Sequence, residues 1–224
     1  MLTENLTENR IQNTEERLSF HPATRTVARI ISYIFHPLFI PLYIGWFLIY
    51  PGRYFPGGDA WEHHKLMISF FVNYTFLPLV TLLIAKGLGF VQSIFLKTQK
   101  DRIIPFVVCQ IFYFWVWYVF RNQSMPRELV MFALAVFIAS AFGLMLNAYI
   151  KVSMHALSIG VVIPYFILLG MMTQWNYGPY ISIVTLVGGL VSTSRLITND
   201  HNPREVYIGL FAGALAQLAG YLFS

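Results

Sequence analysis

The chain has 224 residues, of which 57% are hydrophobic and 11% are charged, and its net charge is +5. A soluble domain carries about a quarter charged residues, so this composition excludes an ordinary soluble protein. There is no basic run of the kind that binds nucleic acid, and the single cysteine, Cys109, excludes an intrachain disulfide. The composition therefore predicts one membrane domain with short loops.

Apolar runs close to the roughly 20 residues needed to cross a bilayer follow a polar tail. The tail covers residues 1–27 and lacks the apolar stretch of a signal peptide, and a single transmembrane domain covers residues 28–224. The runs are continuous rather than alternating, which indicates helices. Pro37 and Pro41 interrupt the first run, so we expect an all-α polytopic transmembrane bundle with six to seven spans. The predicted spans are residues 28–50, 66–96, 103–120, 129–150, 155–173, 179–197 and 203–223.

Three polar clusters interrupt the apolar pattern, at residues 97–105, 151–155 and 194–205. Spans three and four form a hairpin between the first two clusters, and spans five and six form a hairpin between the second and the third. All three clusters are therefore predicted to lie on one face of the membrane. Two histidines and several cations would meet there, whereas the loops near residues 121–127 and 174–178 contain no histidine.

The third cluster is the most specific of the three. Pro203 suits the first turn of a helix capped by Asn202, which places His201 just ahead of a helix N-terminus, where backbone N–H groups favour an anion. Glu205 lies within reach of the His201 ring, and a carboxylate on one imidazole nitrogen leaves the other free to attack. Asn202 and Glu205 also have the spacing of a capping box, which is a purely structural alternative.

Simpler interpretations exist for the other polar residues as well. His155 opens the fifth span and could be an interfacial histidine, and Arg195 ends the sixth span and could extend to the headgroups. The remaining cations of the first cluster could likewise be headgroup anchors: Lys97, Lys100 and Arg102.

The clusters together resemble the signatures of the type 2 phosphatidic acid phosphatase family. Residues 194–205 read Ser-Arg-x5-His-x3-acidic and are followed by a Gly-x3-Gly at residues 209–213, which resembles the third signature. Residues 152–155, Val-Ser-Met-His, resemble the second signature, Pro-Ser-Gly-His, with Ser and His retained. Residues 97–105, in which a lysine precedes an arginine and a proline, resemble the first signature.

The resemblance covers residues 97–213 and departs from the family pattern in four respects. Pro105 is displaced from Arg102, and the Pro and Gly of the second signature are missing around Ser153. The acidic residue of the third signature is Glu205, where the family usually has Asp. The lysine of the first signature stands closer to the arginine than in the family, which leaves Lys97 and Lys100 as alternatives.

The resemblance implies a lipid phosphatase with its active site at one membrane face. His201 would attack phosphorus and form a phosphohistidine, Glu205 would hold its ring, and His155 would protonate the leaving oxygen. The resemblance assigns phosphate binding to Lys97, Lys100, Arg102, Ser153, Ser194 and Arg195. It implies no metal and no other cofactor. The expected substrate has an apolar tail and is of the phosphatidic acid, phosphatidylglycerol phosphate or polyprenyl phosphate type, and the expected partners are membrane lipids.

Two other functions fit the same residues: a phosphotransferase on the same scaffold, and a non-catalytic protein that binds lipid phosphates. His36, which precedes Pro37 in the first span, is a further candidate for contact with a substrate.

The orientation of the chain in the membrane is left open by two opposing tendencies. The active site of the family faces outward, which favours an outward-facing site in a bacterial inner membrane. The arginines of the tail, in contrast, favour a cytoplasmic position for the tail. A re-entrant first segment would reconcile the two tendencies. No oligomeric state is predicted.

Overall fold

The computed structural model describes residues 20–55, 59–91 and 98–224. These residues form eight helices and contain no strand. The helices are α1 Pro22–Ile34, α2 Ile40–Ile49, α3 Ala60–Gly87, α4 Gln99–Asn122, α5 Arg127–Asn147, α6 Met154–Met172, α7 Gly178–Ile197 and α8 Pro203–Phe223. Six of them, α3 to α8, are long and apolar enough to cross a membrane, so the predicted all-α polytopic bundle is confirmed.

The first predicted span, residues 28–50, is divided between two helices that are each too short to cross a bilayer. Helix α1 has 13 residues and α2 has 10, against the roughly 20 that a crossing requires. The break between them contains Pro37, which lacks the N–H that a continuous helix would use. Helix α1 also begins at Pro22, inside the range assigned to the polar tail.

The second predicted span, residues 66–96, begins earlier in the structure. Asp59 caps α3, because its side chain accepts a hydrogen bond of 2.7 Å from the backbone N–H of Glu62. The helix ends shortly before Gly89, which adopts a left-handed φ of 80°. Residues 92–96 of the predicted span lie outside the described residues.

The core lies between α5, α6 and α8, and α8 packs most extensively against α6. This crossing is close because α8 presents a small residue to the backbone of α6: a Cβ on Gly213 would overlap the carbonyl oxygen of Leu157. The close approach brings the start of α6, which carries His155, beside the start of α8, which follows His201.

The three polar clusters meet at one end of the bundle, as the parity of the hairpins predicts. Arg102, near the start of α4, donates a hydrogen bond of 2.8 Å to the carbonyl oxygen of Val152. The His201 ring lies 3.1 Å from the carbonyl oxygen of Lys151. Loops that are far apart in sequence are therefore joined by direct contacts at this end.

The chain between α1 and α3 leads from this end to the opposite one. His36 stacks edge-on against His155 in the cluster, with ring centroids 5.4 Å apart. Further along, the hydroxyl of Tyr54 lies 2.7 Å from that of Tyr177, in the loop before α7. The end of α1 and the clusters thus lie at the same end of the bundle.

Candidate functional site

A cavity of about 800 Å³ lies at the end of the bundle where the clusters meet. Its apolar part is formed by side chains of α3 to α6, such as Phe106, Phe132 and Val161. Its polar part is lined by Arg29, Ser32, His36, Arg102, His155, Arg195, Asp200 and His201. The cavity therefore joins a cationic, imidazole-rich end to a long apolar end.

His201 is held as one tautomer by two acceptors. Its Nδ1 lies 2.8 Å from Oε2 of Glu205 and 3.1 Å from the carbonyl oxygen of Lys151. Both partners accept, so Nδ1 carries the proton and Nε2 keeps its lone pair. Burial of the ring, followed by the nearby charge of Arg102, lowers the pKa of His201 to about 3, and the ring is neutral at pH 7. A neutral imidazole with a free Nε2 can accept a hydrogen bond or attack an electrophile.

Glu205 serves the helix and the histidine at once. The side chain of Asn202 accepts a hydrogen bond of 2.9 Å from the backbone N–H of Glu205, and the backbone N–H of Asn202 donates to Oε2 of Glu205 at 3.4 Å. This is a complete capping box, and the same Oε2 accepts the proton of His201. The structural interpretation of this motif and the predicted histidine–carboxylate pair are therefore both present.

His155 is oriented by the backbone of α1. Its Nε2 donates a hydrogen bond of 3.0 Å to the carbonyl oxygen of Ser32, which leaves Nδ1 unprotonated in the neutral ring. The neighbouring ring of His36 accepts at Nδ1 from the backbone N–H of Leu38 at 3.3 Å, so its proton is on Nε2. Burial, followed by the charge of Arg195, lowers the pKa of His36 to about 4.

The cations of the site are close to one another. Arg195 forms an ion pair of 2.7 Å with Asp200, while its Nε is buried and has no partner among the described residues. Lys151 donates from Nζ to the carbonyl oxygen of Asp200 at 3.1 Å. Burial, followed by the charge of Arg102, lowers the pKa of Lys151. An anion in the cavity would relieve the repulsion among these cations.

The structure brings some of the predicted phosphate-binding cations to the cavity and not others. Arg102 and Arg195 line it, as do the predicted histidines. Lys100 is exposed and is not part of the cavity wall. Lys97 lies outside the described residues.

The two predicted serines, Ser153 and Ser194, are buried behind the cavity rather than in its wall. Ser153 caps α6, where its hydroxyl oxygen accepts a hydrogen bond of 3.4 Å from the backbone N–H of Ala156. The hydroxyl of Ser194 donates to the carbonyl oxygen of Leu190 at 2.7 Å. Both hydroxyls therefore support helices at the site.

Arg29 and Ser32 line the cavity although the sequence did not single them out. They precede the range that resembles the phosphatase family. Both lie in residues 28–50, where the sequence predicts only an apolar span. One signal was available: Arg29 and Ser32 are three residues apart, a spacing that places two side chains on one side of a helix.

Among the described residues, no three His, Cys, Asp or Glu side chains are grouped so that they could hold a metal ion. Comparisons of the chain with protein-family models, with curated proteins and with solved structures find no match. The long apolar helices define a polytopic integral membrane protein. Its polar site is built at one end of the bundle.

Proposed function

We propose that this protein is an integral membrane phosphatase that hydrolyses phosphate esters of lipids through a phosphohistidine on His201. The observation that supports this most directly is the double contact at Nδ1 of His201, with Glu205 and with the carbonyl of Lys151. This contact keeps Nε2 available for attack in a cavity that Arg102 and Arg195 also line. A nucleophile and two guanidinium groups in one cavity are suited to phosphoryl transfer.

In the proposed reaction, the phosphate binds at Arg102 and Arg195, which stabilise the charge of the transition state. Nε2 of His201 attacks phosphorus while the bond to the leaving oxygen breaks, and Glu205 stabilises the imidazolium that forms. His155 takes up a proton from solvent on Nδ1 and gives it to the leaving oxygen, which departs as the alcohol. It then accepts a proton from the water that cleaves the phosphorus–nitrogen bond and releases inorganic phosphate.

The shape of the cavity supports a lipid as the substrate. Its polar end can hold a phosphate, while the inner wall, with Phe106, Leu157 and Val161, can accommodate an apolar chain. Leu79 and Leu83 of α3 also line the cavity and are 42% and 51% exposed. These two leucines connect the cavity to the outer surface of the bundle, where a lipid would be found.

The test is phosphate release from phosphatidic acid, phosphatidylglycerol phosphate and farnesyl diphosphate in detergent micelles. We expect His201→Ala to lower turnover by at least about a thousandfold, because the nucleophile is removed, and His155→Ala to lower it strongly as well. His64→Ala is the matched control, since His64 is exposed on α3 away from the cavity and should retain wild-type turnover.

Unchanged turnover in both His201→Ala and His155→Ala would contradict the proposal. Two other outcomes would point to the alternative functions. Transfer of the phosphoryl group to an added alcohol would indicate a phosphotransferase, and binding of lipid phosphates without turnover by the wild type would indicate a binding protein.

A further inference from the structure

Helix α1 and the linker after it bring three polar side chains to the cavity beside His155: Arg29, Ser32 and His36. The reaction proposed above uses only the backbone carbonyl of Ser32. The three side chains precede the segment that resembles the phosphatase family, so their presence in the cavity needs a separate explanation.

The hydroxyl of Ser32 is the clearest sign of a ligand. Ser32 is 6% exposed, and its hydroxyl has no hydrogen-bond partner among the described residues. A serine in a helix can satisfy its hydroxyl at a carbonyl three or four residues earlier, as Ser140 and Ser194 do here. A buried unpaired hydroxyl is unfavourable, so its position in the cavity wall indicates that a bound molecule pairs with it.

His36 offers a second donor beside Ser32. Because its Nδ1 accepts from Leu38, its Nε2–H is the donor. The linker that carries His36 is fastened to α3, since the hydroxyl of Thr75 donates to the carbonyl oxygen of Leu38 at 2.7 Å. Thr75 lies in a π-helical stretch of α3, Val72–Phe76, a local geometry that is frequent at functional sites. The ring is therefore held in place next to His155.

We propose that Ser32 and His36 form a second anion-binding subsite beside His155, which holds the leaving group and selects a lipid diphosphate as the substrate. This inference rests on the proposed phosphatase function. Arg29 adds a positive charge to the same wall of the cavity.

The chemical nature of the leaving group is the reason for proposing a diphosphate as the substrate. When a phosphate monoester is cleaved, the group that leaves is an alcohol, which needs one proton and is followed by an apolar chain. The buried hydroxyl of Ser32 and the Nε2–H of His36 would then face that chain without an acceptor, which is unfavourable for polar groups. When a diphosphate is cleaved, the group that leaves is itself a phosphate, and its oxygens can accept from both donors.

In the diphosphate reaction, Nε2 of His201 attacks the terminal phosphorus and the bond to the bridging oxygen breaks. The electron pair of that bond stays on the bridging oxygen, which takes a proton from His155 and leaves as part of a lipid monophosphate. Ser32 and His36 donate hydrogen bonds to the other oxygens of this monophosphate. Water then displaces His201 and carries away the terminal phosphoryl group as inorganic phosphate.

The experiment compares kcat/KM for farnesyl diphosphate and farnesyl monophosphate, which share one apolar tail, using the purified full-length protein in detergent. We expect the wild type to favour the diphosphate at least tenfold. Ser32→Ala and His36→Phe should each lose about tenfold on the diphosphate, as expected for a lost hydrogen bond to a charged group, and less than threefold on the monophosphate. His36→Gln, which keeps a donor near the Nε2 position, should recover most of the loss.

Ser140→Ala is the matched control. Ser140 also lines the cavity and is also 6% exposed, but its hydroxyl already donates to the carbonyl oxygen of Phe137. This variant should keep the wild-type preference. Equal losses on both substrates in Ser32→Ala and His36→Phe, or a wild-type preference for the monophosphate, would overturn the subsite and leave the phosphatase function standing.

A binding measurement separates the subsite from turnover. Thermal unfolding of His201→Ala should be raised more by inorganic pyrophosphate than by the same concentration of inorganic phosphate, and adding Ser32→Ala should remove this difference. Equal stabilisation by the two anions would contradict the subsite. Hydrolysis of phosphatidic acid or phosphatidylglycerol phosphate but of neither farnesyl substrate by the wild type would contradict the subsite alone, whereas hydrolysis of none of these lipids would contradict the phosphatase function itself.

Discussion

His201 is buried and His36 is partly buried, and each lies near a positive charge. Arg102 acts on His201 and Arg195 acts on His36, and in both cases burial is the larger cause of the lowered pKa. Both rings are neutral at pH 7, and the positive charge of the site resides on the arginines. A bound anion would balance that charge and raise the pKa of both rings. At pH 7 the proposed reaction therefore starts from neutral rings, which leaves Nε2 of His201 unprotonated for attack.

These two rings should make the stability of the protein depend on pH. Their folded-state pKa values are about 3 and about 4, below the ordinary value of 6.5. The unfolded chain therefore binds more protons between pH 6.5 and pH 4, and the free energy of unfolding falls as the pH is lowered through this window. At pH 5 each ring should cost about 2 kcal/mol relative to pH 7.

The measurement is thermal unfolding in phosphate-free buffer at pH 7 and pH 5. We expect a lower Tm at pH 5 in the wild type and a smaller difference between the two pH values in His36→Phe, which has lost one of the rings. A Tm that is the same at both pH values, or an undiminished difference in the variant, would contradict buried neutral histidines.

At the residue scale, sequence could identify partners that are close in the chain and could not identify distant ones. Glu205 was predicted to hold His201 because four residues of a helical turn bring the two side chains together. The contact between His155 and the carbonyl of Ser32 spans 123 residues and uses a backbone atom, which no side-chain pattern reports. The contact of Ser32 with His155 could therefore be found only from the structure.

At the scale of elements, the prediction was best where a capping pattern and an apolar run coincide. Helix α8 covers Pro203–Phe223, the same residues as the predicted span, because Asn202 and Pro203 mark its start in the sequence. Helix α3 begins before its predicted start, because Asp59 caps it ahead of residues that are not uniformly apolar. Hydropathy indicates which residues suit a membrane, whereas caps decide where a helix begins.

The crossing of α6 and α8 gives a prediction about packing. A Cβ on Gly213 would overlap the backbone carbonyl oxygen of Leu157, which cannot move unless the two helices separate. We expect Gly213→Ala to lower the free energy of unfolding by about 1–3 kcal/mol and to reduce turnover, since His155 and His201 would move apart. Thermal unfolding and the phosphate-release assay measure the two effects.

Gly189→Ala is the control for this crossing. A Cβ on Gly189 of α7 would meet no atom within contact distance, and alanine favours a helix over glycine. We expect this variant to be as stable as the wild type or slightly more stable. A Gly213→Ala protein with the same Tm as Gly189→Ala would show that the close crossing does not hold the site together.

At the scale of the whole molecule, one end of the bundle carries the polar site and the sides carry apolar residues. On α7, for example, Ile183 and Leu186 are 57% and 66% exposed, as suits contact with lipid chains. The cavity extends from the polar end to the exposed leucines of α3, so a lipid can place its headgroup and its tail in two different environments. The last turns of α1, with Arg29 and Ser32, also lie at this polar end.

The central claim is that His201 carries a phosphoryl group during turnover, and a trapped intermediate tests it most directly. The purified protein would be mixed with phosphatidic acid or farnesyl diphosphate labelled at the terminal phosphorus, quenched with alkali and digested. We predict acid-labile, alkali-stable label on the peptide that contains His201, and none in His201→Ala. Phosphate release by the wild type with no label on protein, or with label on another residue, would contradict the claim.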